Sequence, residues 1–397
     1  MVKRKICIVT GTRAEYGLLR FVLENLKNSD EVSLQIVATG MHLSPEFGLT
    51  VKSIEADGFP VTKRVESLLS SDTPTGIAKS TGLGIIGFAD VFADLQPDLV
   101  VFLGDRFEIL SAAVCALYAR IPVAHLHGGE TTVGAFDEGI RHAITKMAHF
   151  HFVAAEAYRD RVIQLGEDPD RVFNVGGTGV DALKKLSLLD REELTERVGF
   201  DLRGRFLLIT FHPVTLEHAS SEEQVEELFR ALRQLDEEVT FLFTMPNADT
   251  DGRVIMQKIE SFVEEMKGRA FSSLSLGQLN YFSAMKHCAA VLGNSSSGLL
   301  EAPTLRVPTV NIGDRQKGRL MAESVISCEP DAPSIFKALG QAMSSGFKST
   351  LEGTHSPYGE GGASDRIAEI LRKVDLDPGL LKKRFYDLPV AKRRGLS

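Results

Sequence analysis

Two short apolar runs, each ending on charged residues, constrain the fold of this chain more than any other feature. Leu99–Leu103 precedes Asp105 and Arg106, and Val123–Leu126 precedes the sequence HGGE at 127–130. Such runs, without polar alternation, are typical of parallel strands that are buried on both faces. Because ligands bind beyond the carboxyl ends of these strands, we expect the charged groups to meet in one cleft.

The same alternation of strand and helix runs through both halves of the chain. Strand patterns at Lys5–Thr10 and Val32–Ala38 flank a helix pattern at Ala14–Lys27. After a polar, helical stretch around 175–203, which we interpret as a linker, the pattern restarts with a strand at Phe206–Phe211. This spacing predicts two parallel, doubly wound α/β domains. A chain of 397 residues is long enough for two cores.

Composition and charge exclude several classes of protein. The 43% hydrophobic and 25% charged residues are ordinary for a soluble globular protein, and the net charge of −8 argues against a general nucleic-acid-binding surface. No run of about 20 apolar residues predicts a membrane span, and the N-terminal apolar run is too short for an export signal. The four cysteines are widely spaced, so we expect free thiols in a reducing cytoplasm.

Three motifs of the first half place charged side chains after strands. GTRAEYG matches neither common nucleotide fingerprint, but it puts Arg13 at a helix N-terminus, where it can bind phosphate. Asp105 in LGDR suits either a helix N-cap, with Glu108 at the third helical position, or a proton-transfer group. The next helix begins at Asp137, which can pair with Arg141 one turn later.

The motif HLHGGE combines two histidines, two glycines and an acid. Strand alternation would place His125 and His127 on one face, a spacing that can bind a metal. Because no third ligand follows at a motif spacing, we expect no metal and keep zinc as a second possibility. The glycines let the backbone pass close to a ligand, and Glu130 ends the turn.

The second half offers polar groups suited to a nucleotide. His212 follows one predicted strand and Asn247 follows the next. In GNSSSGLLEAP, Ser295 and Ser296 open a helix whose amides and hydroxyls suit a diphosphate. Glu301, further along, can accept both hydroxyls of a ribose. The segment NIGDRQKGR adds three cations that can meet a phosphate: Arg315, Lys317 and Arg319.

Taken together, these motifs resemble the hydrolysing UDP-N-acetylglucosamine 2-epimerases of sialic-acid-type sugar synthesis. The resemblance extends over nearly the whole chain, through TRAEYG, MHLSPEFG, LGDR, HLHGGE, FDEGIRHAITKMAHFHF, PNADTDGR, GNSSSGLLEAP and NIGDRQKGR. It implies a GT-B fold with an interdomain cleft. Residues 1–175, completed by C-terminal helices at about 364–390, would form the catalytic sugar half, and residues 176–363 the UDP-binding half. It also implies a cytoplasmic homodimer or homotetramer that acts on a UDP-sugar without metal or other cofactor.

The resemblance assigns roles to individual side chains. Asp105, Glu130 and Asp137 would transfer protons around the sugar. His127 stands where related epimerases often carry an acid, so it joins Glu130 as a candidate for abstracting the proton and can mark a different sugar. The remaining groups would contact the nucleotide and its phosphates, with His212 also counted as catalytic: Arg13, Arg106, His212, Asn247, Ser295, Ser296, Glu301 and Arg315.

The implied reaction converts UDP-N-acetylglucosamine to UDP and N-acetylmannosamine. A base removes the proton at C2 while UDP leaves C1, which gives a glycal; an acid then protonates C2 from the other face as water adds at C1. Cations would stabilise the charge that grows on the diphosphate. Four competing activities stay open: the same reaction on UDP- or GDP-N,N'-diacetylbacillosamine for legionaminic acid synthesis, a non-hydrolysing 2-epimerase, a GT-B glycosyltransferase, and a binding regulator without chemistry.

Overall fold

Seven strands form a parallel sheet in the first part of the chain. The computed structural model describes residues 3–133, 135–214, 221–246 and 252–389. The strands of this sheet are β1 (Arg4–Thr10), β2 (Val32–Thr39), β3 (Lys63–Val65), β4 (Leu99–Leu103), β5 (Val123–Leu126), β6 (Phe150–Val153) and β7 (Val172–Asn174). They lie in the order β3-β2-β1-β4-β5-β6-β7, and each neighbouring pair is parallel.

A second parallel sheet has six strands in the same pattern of order. Its strands are β8 (Arg205–Thr210), β9 (Val239–Thr244), β10 (Ala270–Ser273), β11 (Ala290–Gly293), β12 (Thr309–Ile312) and β13 (Val325–Cys328). They lie in the order β10-β9-β8-β11-β12-β13. The prediction of two parallel, doubly wound sheets is therefore confirmed.

Helices alternate with the strands along the chain. Their bounds are α1 (Arg13–Lys27), α2 (Val51–Ala56), α3 (Pro74–Leu95), α4 (Phe107–Tyr118), α5 (Asp137–Met147), α6 (Glu156–Gln164), α7 (Thr178–Lys185), α8 (Arg191–Val198), α9 (Ser221–Arg233), α10 (Gly252–Glu265), α11 (Gly277–His287), α12 (Ser297–Leu300), α13 (Ala332–Met343), α14 (Ser345–Thr350) and α15 (Ala363–Lys373). The sequence predicted no membrane span, but by length and composition alone α3 could cross a membrane. It packs along α4, where the Ser111 hydroxyl donates to the Thr81 carbonyl at 2.9 Å.

The strand order reverses at one point in each sheet, and these points position the polar loops. In the first sheet the reversal lies between β1 and β4, and in the second between β8 and β11. The loop after β1 leads to Arg13, the loop after β4 carries Asp105, the loop after β8 carries His212, and the loop after β11 carries Asn294. Ligands of open α/β sheets bind in the crevices at such points.

The segment 175–203 differs from the polar linker that its composition predicts. Every residue from Thr178 to Leu183 is buried, and α7 packs against α1 and α12. Only its second part, α8, is polar, and this helix starts with a capping box formed by Asp190 and Glu193. The first part is a core helix because its apolar face lies between elements that are distant in sequence.

The C-terminal part of the chain returns to the first sheet. Ile367, Ala368 and Leu371 of α15 pack in the same core cluster as Ile6 of β1 and Leu19 of α1. That helices at about 364–390 complete the first domain stays a prediction. The stated domain bounds at 175, 176 and 363 stay a prediction.

Candidate active site

Asp105 is held by an arginine of α5 at the carboxyl edge of the first sheet. Arg141 contacts the Asp105 carboxylate, donates to the Thr132 hydroxyl at 2.8 Å and lies 3.4 Å from Glu138. Of the two roles that the sequence leaves open for Asp105, the helix N-cap is wrong, because Arg106 occupies the N-cap of α4 and the Arg106 side chain makes no capping bond. The tertiary pair with buried Arg141 takes the place of a local cap.

Glu130 and His127 form a close pair. His127 Nδ1 lies 2.6 Å from Glu130 Oε1, and His127 Nε2 lies 3.0 Å from the hydroxyl of Thr178 on α7. The other Glu130 oxygen lies 3.0 Å from the Arg319 guanidinium of the second domain. Burial alone would raise the pKa of Glu130, but Arg319 and His127 outweigh it and lower the pKa below its usual value.

His125 has a structural environment, unlike His127. Its ring contacts the Gly104 carbonyl at 2.8 Å and the Thr145 hydroxyl at 3.1 Å, and burial lowers its pKa to about 3. The expectation that both histidines share a strand face is wrong, because His127 lies beyond the end of β5 with a left-handed φ of 64°. Among the described residues, no group of three or more His, Cys, Asp and Glu side chains is placed to hold a metal ion.

Asp137 faces a cation of the other domain. Arg315 Nη2 lies 3.9 Å from Asp137 Oδ2, and Arg315 Nη1 donates to the Asn294 carbonyl at 3.1 Å. The Asn294 side chain accepts from the His212 backbone amide at 2.7 Å and donates to the His212 carbonyl at 2.8 Å. Arg315 therefore connects the switch-point loops of the second sheet with an acid of the first domain.

A cavity of about 190 Å³ lies between α1 and the second sheet. Five side chains that the sequence indicated for the nucleotide line it: Arg13, His212, Ser295, Ser296 and Glu301. Three residues that no sequence motif indicated also line the cavity: Thr210, Gln278 and Tyr281. Nothing in the sequence around these three forms a motif, and only the packing of α11 against α1 brings Gln278 and Tyr281 there. Asn247 lies outside the described residues.

The two predicted arginines of the first domain differ in position. Arg13 reaches across the cleft and donates to the Met245 carbonyl at 3.2 Å. Burial lowers the pKa of Arg13 to about 10, so the side chain stays charged at neutral pH. Arg106 is buried and donates to Glu108 at 2.8 Å. It is not among the residues that line the cavity, and its substrate-binding role stays a prediction.

Glu301 reaches its buried position because α7 carries a glycine there. A Cβ atom at Gly179 would overlap the Glu301 carboxylate. Burial raises the pKa of Glu301 to about 7, although a hydrogen bond from Ser297 opposes the shift. The helix that begins at Ser297 has only four residues, so hydroxyls and local amides, rather than a long helix dipole, are what this segment offers to an anion.

Comparison with known proteins identifies the family. The family described as UDP-N-acetylglucosamine 2-epimerase matches residues 24–372. The chain is 42% identical to the GDP/UDP-N,N'-diacetylbacillosamine 2-epimerase (hydrolyzing) of Campylobacter jejuni, with 98% of this chain and 100% of that protein covered. It is 36% identical to the UDP-N,N'-diacetylbacillosamine 2-epimerase (hydrolyzing) of Legionella pneumophila, with 96% and 98% covered.

Solved structures agree on the fold. The UDP-GlcNAc 2-epimerase of Neisseria meningitidis, solved with bound UDP-GlcNAc, superposes with a TM-score of 0.78 at 20% identity and covers 93% of this chain and 100% of its own. This likeness shows the GT-B arrangement of two parallel α/β domains that the motifs imply. With a family match over most of the chain and relatives of this similarity, the chain belongs to the UDP-N-acetylglucosamine 2-epimerase family.

Proposed function

We propose that this protein is a hydrolysing 2-epimerase that acts on N,N'-diacetylbacillosamine linked to UDP or GDP. The observation that carries this proposal is the pair of relatives with that named activity, at 42% and 36% identity over nearly the full chain. It replaces UDP-N-acetylglucosamine, which the motifs favoured, as the preferred substrate. The hydrolysis of UDP-N-acetylglucosamine to N-acetylmannosamine remains the competing function.

Side-chain exposure supports different roles for the three acids. The carboxylates of Asp105 and Asp137 are 17% and 14% exposed, whereas that of Glu130 is 3% exposed. We assign the two proton transfers at C2 to Asp105 and Asp137, since a group that exchanges a proton with substrate must reach it. Glu130 orients His127, which is the second candidate for the base.

Cations and hydroxyls around the cavity suit the departure of the nucleotide. Arg13, Ser295 and Ser296 line the cavity, and Arg315 lies between this region and Asp137. Negative charge grows on the diphosphate as the C1–O bond breaks, and fixed cations stabilise that charge. The position of Arg315 supports a role for it at both the leaving group and the acid that works on the neighbouring carbon.

The proposal is tested by kinetics on three sugar nucleotides. We expect kcat/KM on UDP- or GDP-diacetylbacillosamine to exceed that on UDP-N-acetylglucosamine by at least about tenfold, the value of one well-made polar contact. NMR in D₂O should show free nucleotide and a 2-epimerised sugar carrying one deuterium at C2. A preference for UDP-N-acetylglucosamine would restore the competing function.

The same assay distinguishes a hydrolysing epimerase from three further activities. A product that keeps its nucleotide would indicate a non-hydrolysing epimerase, turnover only with an added acceptor would indicate a glycosyltransferase, and binding without turnover would indicate a regulator. The cytoplasmic homodimer or homotetramer stays a prediction, which light scattering and cell fractionation check.

A further inference from the structure

An arginine of the second domain lies against the Glu130–His127 pair of the first. Arg319 Nη1 lies 3.0 Å from Glu130, its Nε donates to the Thr131 carbonyl at 2.6 Å, and its Nη2 lies 3.3 Å from the Thr132 hydroxyl. We infer that Arg319 is a positioning residue that keeps Glu130 ionised and His127 oriented, so that this pair is complete only when the two domains meet. The kinetic consequences of this inference rest on the proposed function.

Two tyrosines fix the backbone next to Arg319. The Leu320 amide donates to the Tyr158 hydroxyl at 3.1 Å, and the Tyr358 hydroxyl donates to the Leu320 carbonyl at 2.9 Å. The two hydroxyls lie 3.0 Å apart, and both rings are fully buried. Because the Tyr358 hydroxyl donates to the carbonyl, that of Tyr158 donates to Tyr358, and every polar atom of this group has a partner. The peptide that carries Arg319 is thereby held against α6 of the first domain.

When the His127 ring is neutral, the ionisation of Glu130 decides which of its two nitrogens carries the proton. An ionised carboxylate can only accept, so His127 Nδ1 must donate to it at 2.6 Å. His127 Nε2 is then the acceptor for the Thr178 hydroxyl at 3.0 Å. If Glu130 were protonated, it would donate to Nδ1 and the roles of both ring nitrogens would reverse. Arg319 therefore fixes the state of His127 through Glu130 without touching the histidine.

The surroundings of Glu130 make Arg319 the decisive charge. The titratable groups that act on this carboxylate, or that it acts on, come from five parts of the chain: His125, His127, Tyr158, Glu301, Arg319 and Tyr358. His125 is neutral at physiological pH, since burial lowers its pKa to about 3. Without Arg319, the buried Glu130 carboxylate would lose the guanidinium that compensates its charge. Its protonated form would then be favoured, because a buried carboxylate without a cation is unstable.

Three variants test the inference before any substrate is needed. Arg319→Met removes the charge, Arg319→Lys keeps it, and Arg233→Met is the matched control, since Arg233 pairs with Glu265 on the outer helices of the second domain. The readout is the titration midpoint of Glu130, followed by NMR of protein labelled with ¹³C at glutamate carboxyls and assigned with Glu130→Gln. We expect Arg319→Met to raise the midpoint by about 1–3 pH units, and the other two to stay within half a unit of the wild type. An unchanged midpoint in Arg319→Met overturns the inference.

Kinetics give the second readout. In Arg319→Met we expect kcat to fall at least tenfold and the acidic limb of its pH profile to move upward, while the Kd of UDP stays within twofold; Arg319→Lys should recover most of the rate. A fall in UDP affinity equal to the fall in kcat would make Arg319 a binding residue and overturn the positioning role. Absence of wild-type turnover would contradict the proposed function only, because the NMR midpoint is independent of substrate.

A milder variant keeps the test valid if Arg319→Met does not fold. Tyr358→Phe retains Arg319 and the buried ring but removes the hydrogen bond to the Leu320 carbonyl. We expect the Glu130 midpoint to rise by less than one unit and kcat to fall several-fold, because the guanidinium is less well held. A Glu130 midpoint and a kcat that both match the wild type would overturn the inference.

Discussion

At the scale of single residues, Asp105 carries the sharpest prediction about catalysis. We expect Asp105→Asn to lower kcat by about 10²- to 10⁴-fold, because an amide cannot accept the C2 proton. The amide oxygen still faces Arg141, so we expect the fold to be kept and the Kd of UDP to change less than twofold. Steady-state kinetics and calorimetry with UDP measure the two quantities.

The opposite end of the same strand supplies the control for Asp105. Asp98 is exposed and accepts from the Lys5 amide at the amino end of β4, so Asp98→Asn should leave kcat unchanged. Asp137→Asn should behave like Asp105→Asn. If either active-site variant loses UDP affinity as much as it loses rate, its assignment to proton transfer is wrong.

Glu301 provides a pH-dependent prediction for the nucleotide half. Burial raises its pKa to about 7, and a ribose can donate both hydroxyls only to the ionised form. We therefore expect uridine or guanosine, which do not titrate in this range, to bind about tenfold more tightly at pH 8 than at pH 6. Glu301→Gln should bind weakly at both values. A dissociation constant of the wild type that does not change with pH would contradict the ribose assignment.

The individual acids were predictable from sequence because local pattern is enough to place each of them. Asp105 and Glu130 lie in the loops where the two apolar runs end, and Asp137 begins the helix that follows. Their partners were not predictable. Arg141 was expected to pair with Asp137 one helical turn away, but it contacts Asp105 from the neighbouring strand, and Arg319 reaches Glu130 from 189 positions later in the chain. Only tertiary packing decides such pairs.

At the scale of elements, α7 connects the two halves of the site. Its first turn carries Thr178, which contacts His127, and Gly179, which makes room for Glu301. We expect Gly179→Ala to weaken nucleotide binding at least tenfold, because the Glu301 carboxylate must move to admit a methyl group. Isothermal calorimetry with UDP measures the effect.

An exposed glycine of another helix is the control for that substitution. A Cβ at Gly340 on α13 would meet no atom within 4 Å, so Gly340→Ala should stabilise the protein by about 0.5–1 kcal/mol and leave UDP binding unchanged. If Gly179→Ala behaves in the same way, the close approach of Glu301 to α7 does not matter for the nucleotide.

The misassignment of α7 as linker has a physical reason. Its sequence, TGVDALKK, carries charges and glycine at the density of a solvated segment. The charges are satisfied by tertiary partners: Asp181 accepts from the Gly362 and Ser364 amides at 2.7 and 2.9 Å, beside the start of α15. Sequence patterns predicted the strands better than α7, because a parallel strand that is buried on both faces is apolar along its whole length.

At the scale of the whole molecule, the C-terminal tail closes on the first sheet through a buried cluster around Glu167. Lys383 lies 2.5 Å from Glu167 and donates to the Ala148 carbonyl at the end of α5. His151 and Lys146 contact the same carboxylate at 2.9 and 2.6 Å. The contact continues beyond Lys383, since the Tyr386 amide donates to the Gly166 carbonyl at 2.9 Å.

The pH dependence of this closure follows from the pKa of Glu167. Burial alone would raise that pKa, but His151, Lys383 and Lys146 lower it to about 2. A carboxyl whose folded pKa is depressed stabilises the fold above its unfolded value of about 4.5, and the stabilisation is lost as pH falls toward 2.

We expect Glu167→Gln to lower the free energy of unfolding by about 3 kcal/mol at pH 7. The difference in free energy of unfolding between Glu167→Gln and the wild type should decrease steadily below pH 5, as urea titrations at pH 7, 5 and 3 would show. Glu264→Gln, an exposed change on α10, should have no effect at any of these values. If this difference in free energy stays constant down to pH 3, Glu167 stabilises the tail through packing rather than through its charge.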